Sequence, residues 1–172
     1  SSGNKTGTAF AGDVQTIIAG TPNDVTTPAA SVANASSSLS WTVPAGCYDE
    51  ILIVARATTP NDGVPTGDGA SYTPDITYGS GTSLGSGFVV YKSNGTSTGV
   101  IGLTNGTPYY FKFFTRLGTT WSAGTEISIT PAVVTVATDY FRSVAPGGSW
   151  GSTSTWEASS DNSTWIAATL VP

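Results

Sequence analysis

"LTNGTPYYFKFFTR", Leu103 to Arg116, sets five aromatic rings within the six residues Tyr109 to Phe114. An extended chain sends alternate side chains to opposite faces, so Tyr109, Phe111 and Phe113 share one side and Tyr110, Lys112 and Phe114 the other. One aromatic face can serve as core. The second calls for a ligand, a partner or more core.

Outward from this stretch, no segment carries apolar residues at helical spacing over three turns, while short alternating or apolar runs recur between Gly, Asn and Pro. The pattern predicts an all-β chain. Strands are expected at Thr8 to Phe10 with Val14 to Ile18, then at Ser31 to Ala33, Ser38 to Val43, Glu50 to Ala55, Phe88 to Lys92, Gly99 to Leu103, Pro108 to Arg116 and Glu126 to Thr130. Beyond Pro131 they are expected at Val133 to Val136 and Asp139 to Val144, followed by a hairpin in which Thr155 to Ala158 returns as Trp165 to Thr169. Asn94-Gly95 and Asn105-Gly106 read as turns, which explains two of the Asn-x-Ser/Thr triplets without glycosylation. Between Ala57 and Gly87 lies a long Gly- and Pro-rich connection whose apolar residues are Val64, Tyr72, Ile76, Tyr78 and Leu84. A loop of that length is functional or packs through its own side chains.

Composition narrows the function classes. The 172 residues have room for one full domain and part of another. Charged residues make up 10 %, well below the roughly 25 % of an ordinary soluble domain, so the surface is built from hydroxyls and amides. Such a surface is typical of secreted β-rich modules. The net charge is −5 and the six Lys and Arg are scattered, which leaves no basic stripe for nucleic acid. No apolar run approaches the roughly 20 residues that span a bilayer. Lacking Met and a charged-then-apolar leader, the chain is expected to begin after processing or to be cut from a longer one. The single Cys47 cannot form an internal disulfide, so packing must hold the fold.

From about Asp24 to Pro131 the order of motifs resembles a fibronectin type III domain. Pro28 precedes the first strand, Trp41 in "LSWTVP" stands where that family places its core tryptophan, and "EILIVAR" looks like the third strand. Most specific is "LTNGTPYYF", in which Leu103, Gly106, Thr107 and Tyr109 match the family's Leu-x-x-Gly-Thr-x-Tyr signature. The resemblance implies a seven-stranded, immunoglobulin-like β-sandwich over residues 25–131 with a tyrosine corner at Tyr109. The structural core would be Trp41, Tyr109, Phe111 and Phe113. Residues 1–24 then form an N-terminal flanking segment or the end of a preceding unit, and residues 132–172 a linker and the start of a further β-rich unit. The Gly-rich connection and "GSGFVVYK" are similar to modules of large secreted or cell-surface multidomain proteins of Gram-negative bacteria. The Arg-Gly-Asp adhesion tripeptide of some animal members is absent, so that mechanism does not carry over.

In this fold the third and sixth strands are neighbours, and both are apolar on both faces. Their outer faces need a cover. The Ala57 to Gly87 loop is the expected lid, with Tyr72, Tyr78 and Leu84 as its apolar side chains; the tail and a bound ligand rank behind it.

Residues for chemistry are sparse. There is no histidine, hence no Ser-His-Asp or Cys-His arrangement. Asp49 and Glu50 beside Cys47 oppose thiolate formation. Asp49 and Glu50, being adjacent, are expected to point to opposite sides, unlike a glycosidase pair. Asp62, Asp68 and Asp75 are hard oxygen ligands in the long loop, weak Ca²⁺ candidates without EF-hand spacing. Trp121, Trp150, Trp156 and Trp165 are candidate ligand aromatics that could stack on sugars, although Trp156 and Trp165 are rather expected to face each other as the core of the tail hairpin, since the short tail has few other apolar residues to bury. The expectation is a non-catalytic spacer in an extracellular bacterial adhesin or secreted protein, without a cofactor unless the loop holds Ca²⁺. Its expected partners are neighbouring domains of the parent chain, with surface polysaccharide or another surface protein as further candidates. The alternative is a carbohydrate-binding accessory module of a polysaccharide-degrading enzyme.

Overall fold

A computed structural model describes residues 20–136, 139–144 and 147–172. In chain order its strands are β1 (Thr26–Ala33), β2 (Ser36–Thr42), β3 (Glu50–Ala57), β4 (Ser83–Leu84), β5 (Gly87–Ser93), β6 (Ser97–Ile101), β7 (Tyr109–Leu117), β8 (Thr120–Trp121), β9 (Thr125–Ile129), β10 (Tyr140–Ser143), β11 (Trp156–Ser159) and β12 (Ile166–Ala167). Among the described residues no helix is long and apolar enough to cross a membrane. The strands expected before residue 20 lie outside the described residues.

Three antiparallel sheets form. The first runs β1-β2-β6; the second runs β4-β5-β3-β7, with β8 and β9 both pairing β7; the third runs β10-β11-β12. With the two-residue β4 and β8 set aside, the first two sheets make the seven-stranded fibronectin type III-like sandwich. Sequence alternation builds the first sheet directly. In β2, Ser37, Leu39 and Trp41 are buried while Ser38, Ser40 and Thr42 face outward. The outer face of that sheet is therefore rich in small hydroxyls.

Between the sheets, Trp41 packs edge-on against Phe113 at 5.5 Å and Tyr91 at 5.1 Å. Leu39, Ile51, Ile53, Val100, Tyr109 and Phe111 complete the centre of this core. Each large side chain so buried contributes about 1.5–3 kcal/mol. A bulge between Ile53 and Val54 in the β3–β5 register lets the consecutive Val90 and Tyr91 both reach this cluster. The Tyr109 hydroxyl accepts a hydrogen bond from the Thr104 amide at 3.0 Å, which closes the tyrosine corner.

Two expectations change. The first strand is longer than Ser31 to Ala33, because it begins at Thr26. Val133 to Val136 forms no strand. The β-branched run there finds no edge to pair with, and its three valines stay substantially exposed. Instead the Thr135 hydroxyl lies 2.7 Å from that of Thr169, while the Thr135 amide donates to Thr169 Oγ1 and the Thr169 amide to Thr135 Oγ1. This hydroxyl clasp replaces a β-ladder.

Candidate functional site

The aromatic second face of β7 is the strongest place to look for a ligand. On that outer face Phe114, Leu52, Val54 and Val89 form a cluster, and Phe114 is only 1 % exposed. Its cover is the chain's own long loop. Tyr72 is buried on the cluster, Leu84 packs at its margin, and Trp121 of β8 meets Tyr72 edge-on at 6.1 Å. Tyr78, expected in the lid, goes elsewhere. It packs between Tyr109 at 5.0 Å and Phe88 at 5.5 Å at the edge of the inner core.

That placement follows from how the loop crosses the sandwich. The Ile101 amide donates to Ile76 O and the Tyr78 amide to Ile101 O, so the loop ties the edge of β6 to the other sheet. Alternation along β7 shows that its second face needs a cover. It does not show that the cover also seals the sandwich edge.

Polar anchors hold the lid, and sequence reasoning missed them. Asn61 donates through its amide N and Nδ2 to Glu126 Oε1, at 2.8 and 2.9 Å, and through Nδ2 to Tyr110 O at 3.0 Å. The Lys92 ammonium donates to Gly69 O at 2.6 Å and Tyr72 O at 3.3 Å. Trp121 Nε1 donates to Gly67 O at 2.9 Å, and the Thr66 amide to the Tyr72 hydroxyl at 2.9 Å. Gly69 has φ of +77°, and a Cβ there would strike the Glu50 carboxylate, so only glycine lets the loop approach β3 this closely. Since these partners lie 6 to 65 residues apart, no local pattern announces them.

The acids are used for structure. Asp62 pairs with Arg56 at 2.9 Å and accepts from the Ser86 amide at 2.8 Å and hydroxyl at 3.1 Å. The Ser86 backbone bond is the main cause that lowers its pKa, with the Ser86 hydroxyl and Arg56 helping and desolvation opposing. Asp68 caps the Ala70 amide and Asp75 the Thr77 amide, each two residues on. The three carboxylates thus serve separate turns. Among the described residues no group of three or more His, Cys, Asp or Glu is placed to hold a metal ion.

Asp49 and Glu50 converge rather than diverge, because Asp49 precedes the strand and escapes its alternation. Arg116 Nε meets Glu50 Oε1 at 2.8 Å and its Nη1 meets Asp49 Oδ2 at 3.1 Å. Bridged by one guanidinium, the pair anchors the β7–β8 turn, where the Gly118 amide also donates to Asp49 Oδ2 at 2.7 Å. Cys47 is an exposed free thiol.

The four candidate tryptophans do not gather at one place, although Trp150 and Trp156 touch. Trp121 belongs to the lid, with the Arg116 guanidinium 5.9 Å from its ring. Trp156 does not face Trp165: the β11–β12 register pairs Ala158 with Ile166 and Glu157 with Ala167. Trp156 is buried and meets Trp150 edge-on at 4.8 Å, and Trp150 itself is 77 % exposed. Trp165 lies beneath the Arg142 guanidinium at 4.2 Å, and Arg142 is ion-paired to Glu157 at 2.7 Å.

No protein-family profile matches the chain, and no curated protein does. Solved structures similar to it include a computationally redesigned β-sandwich protein, at 13 % identity and a TM-score of 0.46, covering 65 % of this chain and 97 % of the other. A fourth fibronectin type III domain from human is similar at 13 % identity and a TM-score of 0.47, covering 76 % and 98 %. Titin kinase with its flanking domains is similar at 18 % identity and a TM-score of 0.45, with 66 % of this chain covering 18 % of that one. These likenesses concern the fold alone. The sandwich is assigned here from its own strand order and tyrosine corner.

Proposed function

We propose that the chain is a non-catalytic structural module, a spacer within a longer extracellular protein of a Gram-negative bacterium, either a surface adhesin or a secreted multidomain protein. One observation carries this reading: Tyr109, Phe111 and Phe113 of β7 are buried in the inner core and Phe114, on the other face, is only 1 % exposed beneath Tyr72, with Tyr110 half-buried beside it. Burial on both faces spends the rings on stability and leaves the sandwich a hydroxyl-rich exterior, which suits a unit whose task is to hold distance and shape. Extracellular placement is supported by the low charge content. Neighbouring domains of the same parent chain are its partners.

A second reading, a carbohydrate-binding accessory module, draws on the tail, where Trp150 stands out from Trp156. Binding to a panel of polysaccharides, with and without Ca²⁺, separates the two by tryptophan fluorescence and gel retardation. A flat response throughout is the expected result. Saturable binding that is lost in Trp150→Ala and kept in Trp121→Ala would replace the spacer by a sugar-binding tail.

A further inference from the structure

The sequence contains the tripeptide Asn-Gly-Thr twice, at Asn94 and at Asn105, and the two copies are held very differently. Both asparagines are exposed, so exposure does not distinguish them. Asn94 sits at the tip of the β5–β6 hairpin, and its side-chain amide has no protein partner among the described residues. The following amide, Gly95 N, donates to the Tyr91 hydroxyl at 2.8 Å. Asn105 is pinned at three points: its Oδ1 accepts from the Ala35 amide at 2.8 Å, its Nδ2 donates to Asn34 Oδ1 at 2.7 Å, and Gly106 N donates to Pro131 O at 2.9 Å.

We infer that Asn94 is a site of spontaneous backbone modification and that Asn105, in the same tripeptide, is protected. The chemistry needs only water. Gly95 N, losing its proton to solvent, attacks Asn94 Cγ; the new C–N bond closes a succinimide and ammonia leaves. Water then opens the ring at either carbonyl, giving aspartate or isoaspartate. Glycine at the following position puts no side chain in the way of the attack. At Asn94 one hydrogen bond opposes it, and at Asn105 three do.

The product differs from the starting turn in charge and in backbone length. A carboxylate appears at the hairpin tip, and the isoaspartate route adds a methylene to the turn that orders Gly95 against Tyr91. Asn94 and Asn105 flank opposite ends of β6, so the change falls at the end of the sandwich away from Pro131 and the tail.

Two additional hydrogen bonds at about 1 kcal/mol each slow the folded-state reaction at Asn105 by roughly 30-fold relative to Asn94. The test is ageing of the whole chain in near-neutral buffer at body temperature, with peptide mapping that resolves asparagine, aspartate and isoaspartate. Conversion at Asn94 with Asn105 intact is expected, and the difference should vanish in urea, where both tripeptides are free. Asn34→Ala, which removes one pin, should speed Asn105 and leave Asn94 unchanged, with near-ultraviolet circular dichroism confirming the fold. Equal rates in the folded chain, no conversion at Asn94, or a difference that persists in urea would each overturn the inference.

Discussion

At the residue scale, the tyrosine corner was readable because its parts are close in sequence: Leu103, Gly106, Thr107 and Tyr109 sit within one turn, and the hydroxyl reaches only five residues back to Thr104. Tyr109→Phe keeps the buried ring and deletes that single bond, so a loss of about 1 kcal/mol is expected. It should appear as a lower urea midpoint with an unchanged slope. The Asn61–Glu126 anchor spans 65 residues and left no such trace. Asp161 was also silent, since "SSDNS" reads only as a turn. In the structure its carboxylate accepts from the Thr164 and Ser163 amides and the Ser159 hydroxyl, at 2.8, 2.9 and 2.8 Å. These bonds, that of Thr164 first, hold its pKa well below the ordinary carboxylate value. A depressed folded-state pKa contributes stability that is present above the unfolded value of about 3.9 and is lost as pH falls toward the folded one. Protection factors of the tail amides, corrected for the intrinsic pH dependence of exchange, should therefore fall on acidification below about pH 4, and Asp161→Asn should remove that slope.

At the element scale, the lid was predictable in outline because two neighbouring strands with apolar outer faces cannot stay bare. Which of its side chains does the covering was not, because that depends on the path of the loop. Tyr72 covers Phe114, whereas Tyr78 is carried over the edge of β6 into the inner core. Tyr72→Ala should cost about 3 kcal/mol, near the lower bound for deleting a buried aromatic. It should also expose Leu52, Val54, Val89 and Phe114, so that the folded variant binds a hydrophobic dye that the parent chain does not. Unchanged stability and no dye binding would mean that the loop packs without this ring. The Val133 to Val136 segment teaches the converse. Its β-branched residues fit a strand, yet strand formation requires a neighbouring edge, and the threonine pair at Thr135 and Thr169 took the backbone bonds instead.

At the scale of the whole molecule, the sandwich and the tail keep separate cores. The sandwich buries two clusters on either side of the β3–β7 sheet, while the apolar cluster of the tail, among the described residues, is Trp156, Ala158 and Ala168 with Phe141 alongside. Below about 40 residues a chain rarely buries enough apolar surface to offset its conformational entropy. The two units meet at a shallow groove of about 210 Å³ where Asn34 of the sandwich faces Val133, Ala158, Ser159, Ser160, Thr164 and Ile166 of the tail. Asn34 also holds Asn105, so the end of the sandwich that receives the tail is the end fixed by side-chain bonds. A fragment of residues 20–131 should therefore unfold in one cooperative transition, within about 1 kcal/mol of the sandwich in the full chain, since Asn34 and Val133 stay exposed at the groove and bury little apolar surface there. A fragment of residues 132–172 should show no near-ultraviolet circular dichroism and no protected amides. If that tail fragment folds alone, its small aromatic cluster is a sufficient core. If the sandwich fragment loses several kcal/mol instead, the groove is a stabilising interface and the two units form one body, which would make the spacer longer and stiffer than the sandwich itself.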